Sequence, residues 1–145
     1  MAPYNRARAA GAGPRIDGTV LIEPVSGATR YPLRTAADAL AVLDRVQTAT
    51  GATNIALLAD LYHLAVNGDD VDKVIAAHTA RIAHVQIADN NGRHEPGTGD
   101  LPLDQQLGAL EAGGYRGWVG LEYKPSGDSA ESFAWLPRER RGATA

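Results

Sequence analysis

Four short apolar runs in this sequence each end in a side chain that carries an oxygen donor. These side chains are Glu23, Asp60, Gln86 and Glu122. Segments with helical periodicity lie between the runs, and this alternation predicts parallel strands joined by right-handed crossovers. Parallel strands bring their carboxyl ends to one rim, where barrel and open-sheet enzymes alike place their chemistry. The sequence therefore predicts an α/β fold of four consecutive βα units with four oxygen donors on one rim.

The boundaries of these units follow from apolar periodicity and from the residues that begin and end helices. Thr35 and Asp38 have the spacing of a capping box, and Gly51 is a typical helix stop. The predicted strands are 19–22, 54–59, 81–88 and the run at 118–125, and the predicted helices are 35–50, 70–78, 102–112 and a short segment at 129–135. We expect one domain over residues 19–137, with a poorly structured leader at 1–18 and a frayed tail at 138–145.

The last apolar run, W-V-G-L-E-Y-K-P at 118–125, ends in two opposite charges. Side chains alternate between the two faces of a strand, so Glu122 and Lys124 are expected on the face that carries Gly120. Taken alone, the two charges also fit the solvated face of an edge strand. The donors at the other three strand ends favour a rim position for Glu122.

The composition excludes several classes of function. The chain has 145 residues, 44% of them hydrophobic, which is enough for one compact core. It carries 14 basic and 17 acidic residues without a long block of either sign, so neither a nucleic-acid groove nor a polybasic membrane patch is expected. The absence of cysteine excludes thiol nucleophiles and thiolate metal sites, and it is compatible with a cytoplasmic location. No apolar run approaches membrane-spanning length.

Three carboxylates on one rim repel one another and raise one another's pKa unless a cation holds them. A divalent metal is one solution, and oxygen donors without cysteine select a hard ion such as Mg²⁺ or Mn²⁺. Pairing with arginine or lysine across the rim is the alternative.

Other polar residues near the rim have two interpretations each. His63 either binds a substrate oxygen or caps the loop after the second strand, and His84 is expected one layer deeper, as a core or supporting histidine. Arg93 and Glu95 lie in the turn-rich loop 89–100, which either closes over an anionic substrate or is solvated. Lys124 either neutralises a substrate carboxylate or pairs with a rim acid.

Several segments of the chain resemble the hydroxypyruvate isomerase family, which belongs to the xylose-isomerase-like TIM barrels. The segments are L-I-E-P at 21–24, D-L-Y-H at 60–63, H-V-Q-I-A-D at 84–89, R-H-E-P-G-T-G-D at 93–100 and G-W-V-G-L-E-Y-K-P at 117–125. The resemblance covers roughly residues 18 to 137.

The resemblance implies roles for the rim residues. It implies a metal site of Glu23, Asp60, Gln86 and Glu122, in which Glu23 and Glu122 also move a proton between adjacent carbons through an enediolate. His63 matches a substrate-contacting histidine of related sugar epimerases. Glutamine at position 86, where those epimerases usually have histidine, favours the hydroxypyruvate isomerase branch. The implied reaction interconverts hydroxypyruvate and tartronate semialdehyde, and another small sugar acid such as 2-oxo-tetronate is the alternative substrate.

The four predicted units correspond to the C-terminal half of a (β/α)8 barrel, units five to eight. A half barrel leaves two sheet edges and one face of the sheet uncovered, so we expect a homodimer or a complementing N-terminal half barrel. An inactive truncated fragment that needs a partner half is a further alternative.

Overall fold

Four parallel strands form the sheet of this protein. The computed structural model describes residues 18–140. The strands are β1 (Val20–Ile22), β2 (Ile55–Asp60), β3 (Ile82–Ile87) and β4 (Val119–Leu121), and they pair in chain order. The predicted alternation of strands and helices is therefore confirmed. The predicted leader at 1–18 lies outside the described residues except for Gly18, and so does the end of the predicted tail, 141–145.

The first long helix, α1 (Ala36–Thr50), begins and ends as its sequence predicts. The Thr35 Oγ1 atom accepts a hydrogen bond from Asp38 N at 3.2 Å, and the Asp38 carboxylate accepts one from Thr35 N at 2.9 Å. Gly51 ends the helix in the left-handed conformation, φ 69°, which glycine adopts at little cost. The capping box predicted from residue spacing is confirmed.

The connection after β2 differs from the prediction. A short helix, α2 (Leu61–Val66), starts directly at the end of β2, before the predicted helix α3 (Val71–His78). The reason is local, because the Asp60 side chain accepts hydrogen bonds from the first free backbone N–H groups of α2. After β3 comes α4 (Leu103–Ala112), and the predicted helix at 129–135 is reduced to a 3₁₀ turn, Glu131–Phe133.

The core lies between the sheet and the helices. Leu57, Val85 and Ile87 are completely buried on the helix side of β2 and β3. The pairing register of β2 with β3 shifts by one residue after Leu57, which brings Asp60 beside Gln86 on the opposite face.

Apolar side chains are exposed at both edges of the sheet. Leu21 on β1 and Val119 and Leu121 on β4 are each at least 37% exposed, and Trp118 before β4 is 82% exposed. None of the helices within residues 18–140 is long and apolar enough to cross a membrane.

Candidate functional site

Asp60 lies at the centre of the rim, where its carboxylate both caps helix α2 and can accept a cation or a proton. Its carboxylate is completely buried and accepts hydrogen bonds from the backbone N–H groups of Tyr62 at 2.9 Å and His63 at 3.3 Å, at the start of α2. Burial raises the pKa of Asp60 above its ordinary value, although the neighbouring His63 and Arg93 oppose the shift. The end of β2 therefore presents a buried carboxylate that readily accepts a cation or a proton.

Glu23 stands next to Asp60, just beyond the end of β1. The Glu23 and Asp60 carboxylates and the His63 ring each place one ligand atom within 4.8 Å of the others, a grouping that can hold a metal ion. Burial raises the pKa of Glu23, the nearby charges of Glu122 and Asp60 raise it further, and Arg93 opposes them. Two neighbouring carboxylates with raised pKa values are poised to share a cation or a proton.

Arg93 joins Asp60 to Glu122 across the rim. Its Nη2 atom donates to Asp60 Oδ2 at 3.0 Å and to Glu122 Oε1 at 2.8 Å, and its guanidinium stacks on the Tyr62 ring at 5.0 Å. The residue has φ 59°, a left-handed conformation that is rare for side chains with a Cβ atom. The pairing with a basic side chain, considered as an alternative above, is thus present for two of the three carboxylates. One guanidinium offsets only one of their three negative charges.

Gln86 supplies an oxygen that has no partner of its own. Its Oε1 atom is buried and receives no hydrogen bond from the part of the chain that the structure describes. Gln86 pairs in register with Asp60 on one side and with Gly120 on the other. A methyl group on Gly120 would lie 3.3 Å from Gln86 Cγ and 3.1 Å from His84 Nε2, so glycine leaves room for both side chains. A buried, unpaired amide oxygen on the residue that pairs with Asp60 fits the oxygen donor set of a hard divalent cation.

His63, in the first turns of α2, is held by the loop after β1. The Ser26 backbone N–H donates to His63 Nδ1 at 3.1 Å, and the Ser26 Oγ atom lies 2.6 Å from the same nitrogen. The ring is 5% exposed, and its Nε2 atom lies 3.6 Å from Asp60 Oδ2. Burial lowers the pKa of His63; Asp60 opposes this shift and Arg93 adds to it. His84 lies beside Gly120, two residues before Gln86 and on the same strand face, as predicted.

Lys124 lies outside the strand to which it was assigned. β4 ends at Leu121, so the predicted alternation does not extend from Gly120 to Lys124. The Lys124 backbone instead pairs with the turn-rich loop, because its N–H donates to Arg93 O at 2.9 Å and its carbonyl oxygen lies 2.6 Å from His94 Nδ1. The Lys124 side chain is exposed. Its predicted role in substrate binding stays a prediction.

The turn-rich loop is fastened to the segment after β4. The Glu95 carboxylate accepts hydrogen bonds from Ser126 N at 2.9 Å and from Ser126 Oγ at 2.5 Å, so Glu95 is a structural partner of that segment. Arg93 Nε also donates to the Glu122 carbonyl oxygen at 3.2 Å. The loop thereby carries Arg93 to the rim.

Asp89 organises this loop, and the sequence reasoning did not single it out. Burial raises the pKa of Asp89, but hydrogen bonds from the backbone N–H groups of Gly99, Leu101, Asn90 and Gly97 outweigh it, and the net shift is downward. The bond from Asn90 N is 2.8 Å, that from Gly97 N is 2.9 Å and that from Leu101 N is 3.2 Å. The sequence signal was present, since an aspartate follows a buried strand and precedes a run of turn formers.

The arrangement of the rim residues defines a class of protein. A parallel sheet that carries clustered carboxylates and a free amide oxygen at the carboxyl ends of its strands has the design of an α/β-barrel enzyme. The chain belongs to the xylose isomerase-like TIM barrel family, because the sequence model of that family matches residues 6–139.

Individual proteins confirm the resemblance and the fold. A Streptomyces coelicolor protein, provisionally named a hydroxypyruvate isomerase, is 52% identical over 99% of this chain and 52% of its own length. The 2-oxo-tetronate isomerase of Cupriavidus necator is 35% identical over 91% of this chain and 50% of its own length. The crystal structure of a Brucella melitensis protein described as an AP endonuclease of family 2 has a TM-score of 0.84 and 34% identity, over 92% of this chain and 51% of that one. The chain spans about half the length of the curated relatives it matches.

Proposed function

We propose that this chain carries the metal-binding and proton-transferring rim of an isomerase that interconverts hydroxypyruvate and tartronate semialdehyde. The observation that carries the proposal is the cluster of Glu23, Asp60 and the unpaired Gln86 oxygen at the ends of three neighbouring strands, with Glu122 joined to it by Arg93. The 52% identity to a relative provisionally named for this activity supports the choice of reaction.

The cation of the proposed site is Mg²⁺ or Mn²⁺, held by Glu23, Asp60, Gln86 and Glu122. A divalent cation there supplies Lewis-acid polarisation of the substrate carbonyl. The four donors are all oxygen atoms, which hard cations prefer. Three carboxylates and one guanidinium leave a net negative charge on the rim, and this charge favours cation binding.

Proton transfer is assigned to the two glutamates on either side of Asp60. In the forward direction one carboxylate takes a proton from C3 of hydroxypyruvate, which produces an enediolate, and a proton is then delivered to C2. A further proton moves from the C3 hydroxyl oxygen to the C2 oxygen, so that atoms and charge balance. Burial and the neighbouring charges of Glu122 and Asp60 raise the pKa of Glu23, which favours proton uptake by this carboxylate. Arg93 and His63 contact the oxygens of the substrate in this scheme, and Lys124 approaches its carboxylate.

A second substrate has support from a specific relative. The 2-oxo-tetronate isomerase of Cupriavidus necator is 35% identical to this chain, and its named substrate requires the same exchange of protons between neighbouring carbons. Product analysis on a panel of small keto and aldo acids separates the two substrates. An excess of 2-oxo-tetronate turnover over hydroxypyruvate turnover would select the second.

Catalysis requires that the exposed edges of the sheet be completed. In residues 18–140 the sheet ends at β1 and β4, where Leu21, Val119 and Leu121 are exposed. An N-terminal half barrel or a second copy of the chain would cover these edges and close the rim. The third alternative to the two isomerase activities is a truncated fragment that binds metal but is inactive because it needs a partner half. The cytoplasmic location stays a prediction.

The test is turnover of hydroxypyruvate with Mg²⁺ or Mn²⁺, by the chain alone and after mixing with the remaining half of the Streptomyces coelicolor relative. Glu122→Gln should abolish turnover, whereas Glu111→Gln on the exposed face of α4 should leave it unchanged. Turnover retained by Glu122→Gln would refute the proposed role of this carboxylate. Size-exclusion chromatography of the same samples reports whether a second copy or the added half completes the barrel.

A further inference from the structure

We propose that Ser26 is a positioning residue that holds His63 as the tautomer with its proton on Nε2, which makes His63 a hydrogen-bond donor to a substrate oxygen and excludes it from metal binding. The substrate oxygen in this statement rests on the proposed function. The tautomer and the exclusion from the metal rest on the contacts of this chain alone.

The contact at Nδ1 determines where the proton lies. The Ser26 backbone N–H donates to His63 Nδ1 at 3.1 Å, and a backbone N–H group has no acceptor role. Nδ1 must therefore carry a lone pair, and the proton of the neutral ring is on Nε2. The Ser26 hydroxyl, 2.6 Å from the same Nδ1 atom, reinforces the arrangement as a second donor.

The opposite ring nitrogen faces the rim. His63 Nε2 lies 3.6 Å from Asp60 Oδ2, too far for a hydrogen bond, and it makes none to any group within residues 18–140. His63 is 5% exposed and its ring packs edge-on against Tyr62, with 5.3 Å between the ring centroids, and these contacts restrict its reorientation. The Nε2–H group is therefore available to donate a hydrogen bond to an oxygen atom of a bound molecule.

The same contact decides between two candidates for the last metal ligand. One ligand atom of His63 lies within 4.8 Å of those of Glu23 and Asp60, so on distance alone His63 could join the carboxylates as a metal ligand. Binding a metal through Nε2 would move the ring proton to Nδ1, where it would meet the Ser26 N–H group. The fourth ligand beside the three carboxylates is therefore assigned to Gln86, whose buried Oε1 atom has no hydrogen-bond partner in the described residues.

Nitrogen-15 NMR of histidine-labelled protein tests the tautomer directly on the full chain without substrate. Long-range proton–nitrogen correlations should give His63 a pyridine-type Nδ1 and a pyrrole-type Nε2, with the signals assigned by their loss in His63→Gln. The pattern should persist when Mg²⁺ is added. A pyridine-type Nε2, or an Nε2 shift typical of a metal-bound nitrogen on adding Mg²⁺, would overturn the proposal.

Two matched pairs of variants separate positioning from general structural support. Ser26→Ala keeps the backbone N–H and should keep the tautomer, whereas Ser26→Pro removes it and should give a mixture of tautomers. His63→Gln should leave Mn²⁺ affinity within about twofold, while Gln86→Ala should weaken it by about tenfold or more. A large loss of Mn²⁺ affinity in His63→Gln would contradict the assignment even if Ser26→Pro fails to fold. Absence of turnover with the expected NMR pattern would refute the proposed reaction but not the positioning by Ser26.

Discussion

Replacement of Asp89 by asparagine should destabilise the protein although the two side chains have the same shape. The Asp89 carboxylate accepts hydrogen bonds from Asn90 N and Leu101 N at one oxygen and from Gly97 N at the other. In the variant one oxygen becomes an NH₂ group that faces a backbone donor. Hydrogen bonds to a charged group contribute about 1.5–3 kcal/mol and neutral ones about 0.5–1.5 kcal/mol, so the free energy of unfolding should fall by about 2–4 kcal/mol.

The pH dependence of this effect follows from the lowered pKa of Asp89. A carboxyl group whose pKa is lower in the folded state than in the unfolded state stabilises the folded protein. This stabilisation is fully present at pH values above the unfolded-state pKa of about 3.9. Its contribution is lost as the pH falls through the lower folded value. The difference between wild type and Asp89→Asn should therefore be constant from about pH 5 upward and shrink below about pH 4.

Urea unfolding at pH 7, 5, 4 and 3 measures both effects. Asp100→Asn is the matched control, because Asp100 lies in the same loop with an exposed side chain, and it should change stability by less than about 0.5 kcal/mol. The role of the carboxylate in organising the loop would be refuted if Asp89→Asn lowered the free energy of unfolding at pH 7 no more than the control does. A loss of stability that increases as the pH falls would refute it as well.

Two further substitutions test the helix start and the rim. Thr35→Ala removes the side-chain acceptor for Asp38 N, so the free energy of unfolding should fall by about 1 kcal/mol in urea titrations; an unchanged midpoint would show that the capping box is not needed. Gly120→Ala places a methyl group 3.3 Å from Gln86 Cγ, so Mn²⁺ affinity measured by calorimetry should fall several-fold. Gly108→Ala is the control and should leave the affinity unchanged, because its methyl group meets open space. Equal affinity in both variants would show that Gln86 is not a metal ligand.

Local patterns in the sequence were sufficient for the four strands, for the three longer helices, and for placing Glu23, Asp60 and Gln86 at strand ends. Apolar periodicity placed the strands and the main helices within a few residues, because burial of one face requires that period whatever the partner. The position of Glu23 and Asp60 together followed from parallel strands, which bring their carboxyl ends to one edge. The sequence does not predict the short helix α2, because six residues are too few to show a helical period, and the helix depends on the cap that Asp60 supplies.

Contacts between distant residues were decided only by the tertiary structure. The one-residue shift between β2 and β3 places Asp60 beside Gln86, and no local pattern encodes such a shift. Arg93 reaches Asp60 because the loop that carries it is held in place by hydrogen bonds to the Asp89 carboxylate and by those between Glu95 and Ser126. The sequence by itself determined which polar residues follow the apolar runs, since a run of apolar residues and its polar end are local patterns. The tertiary structure alone decided which atoms meet there, since hydrogen bonds such as that from Ser26 N–H to His63 depend on how separate segments pack.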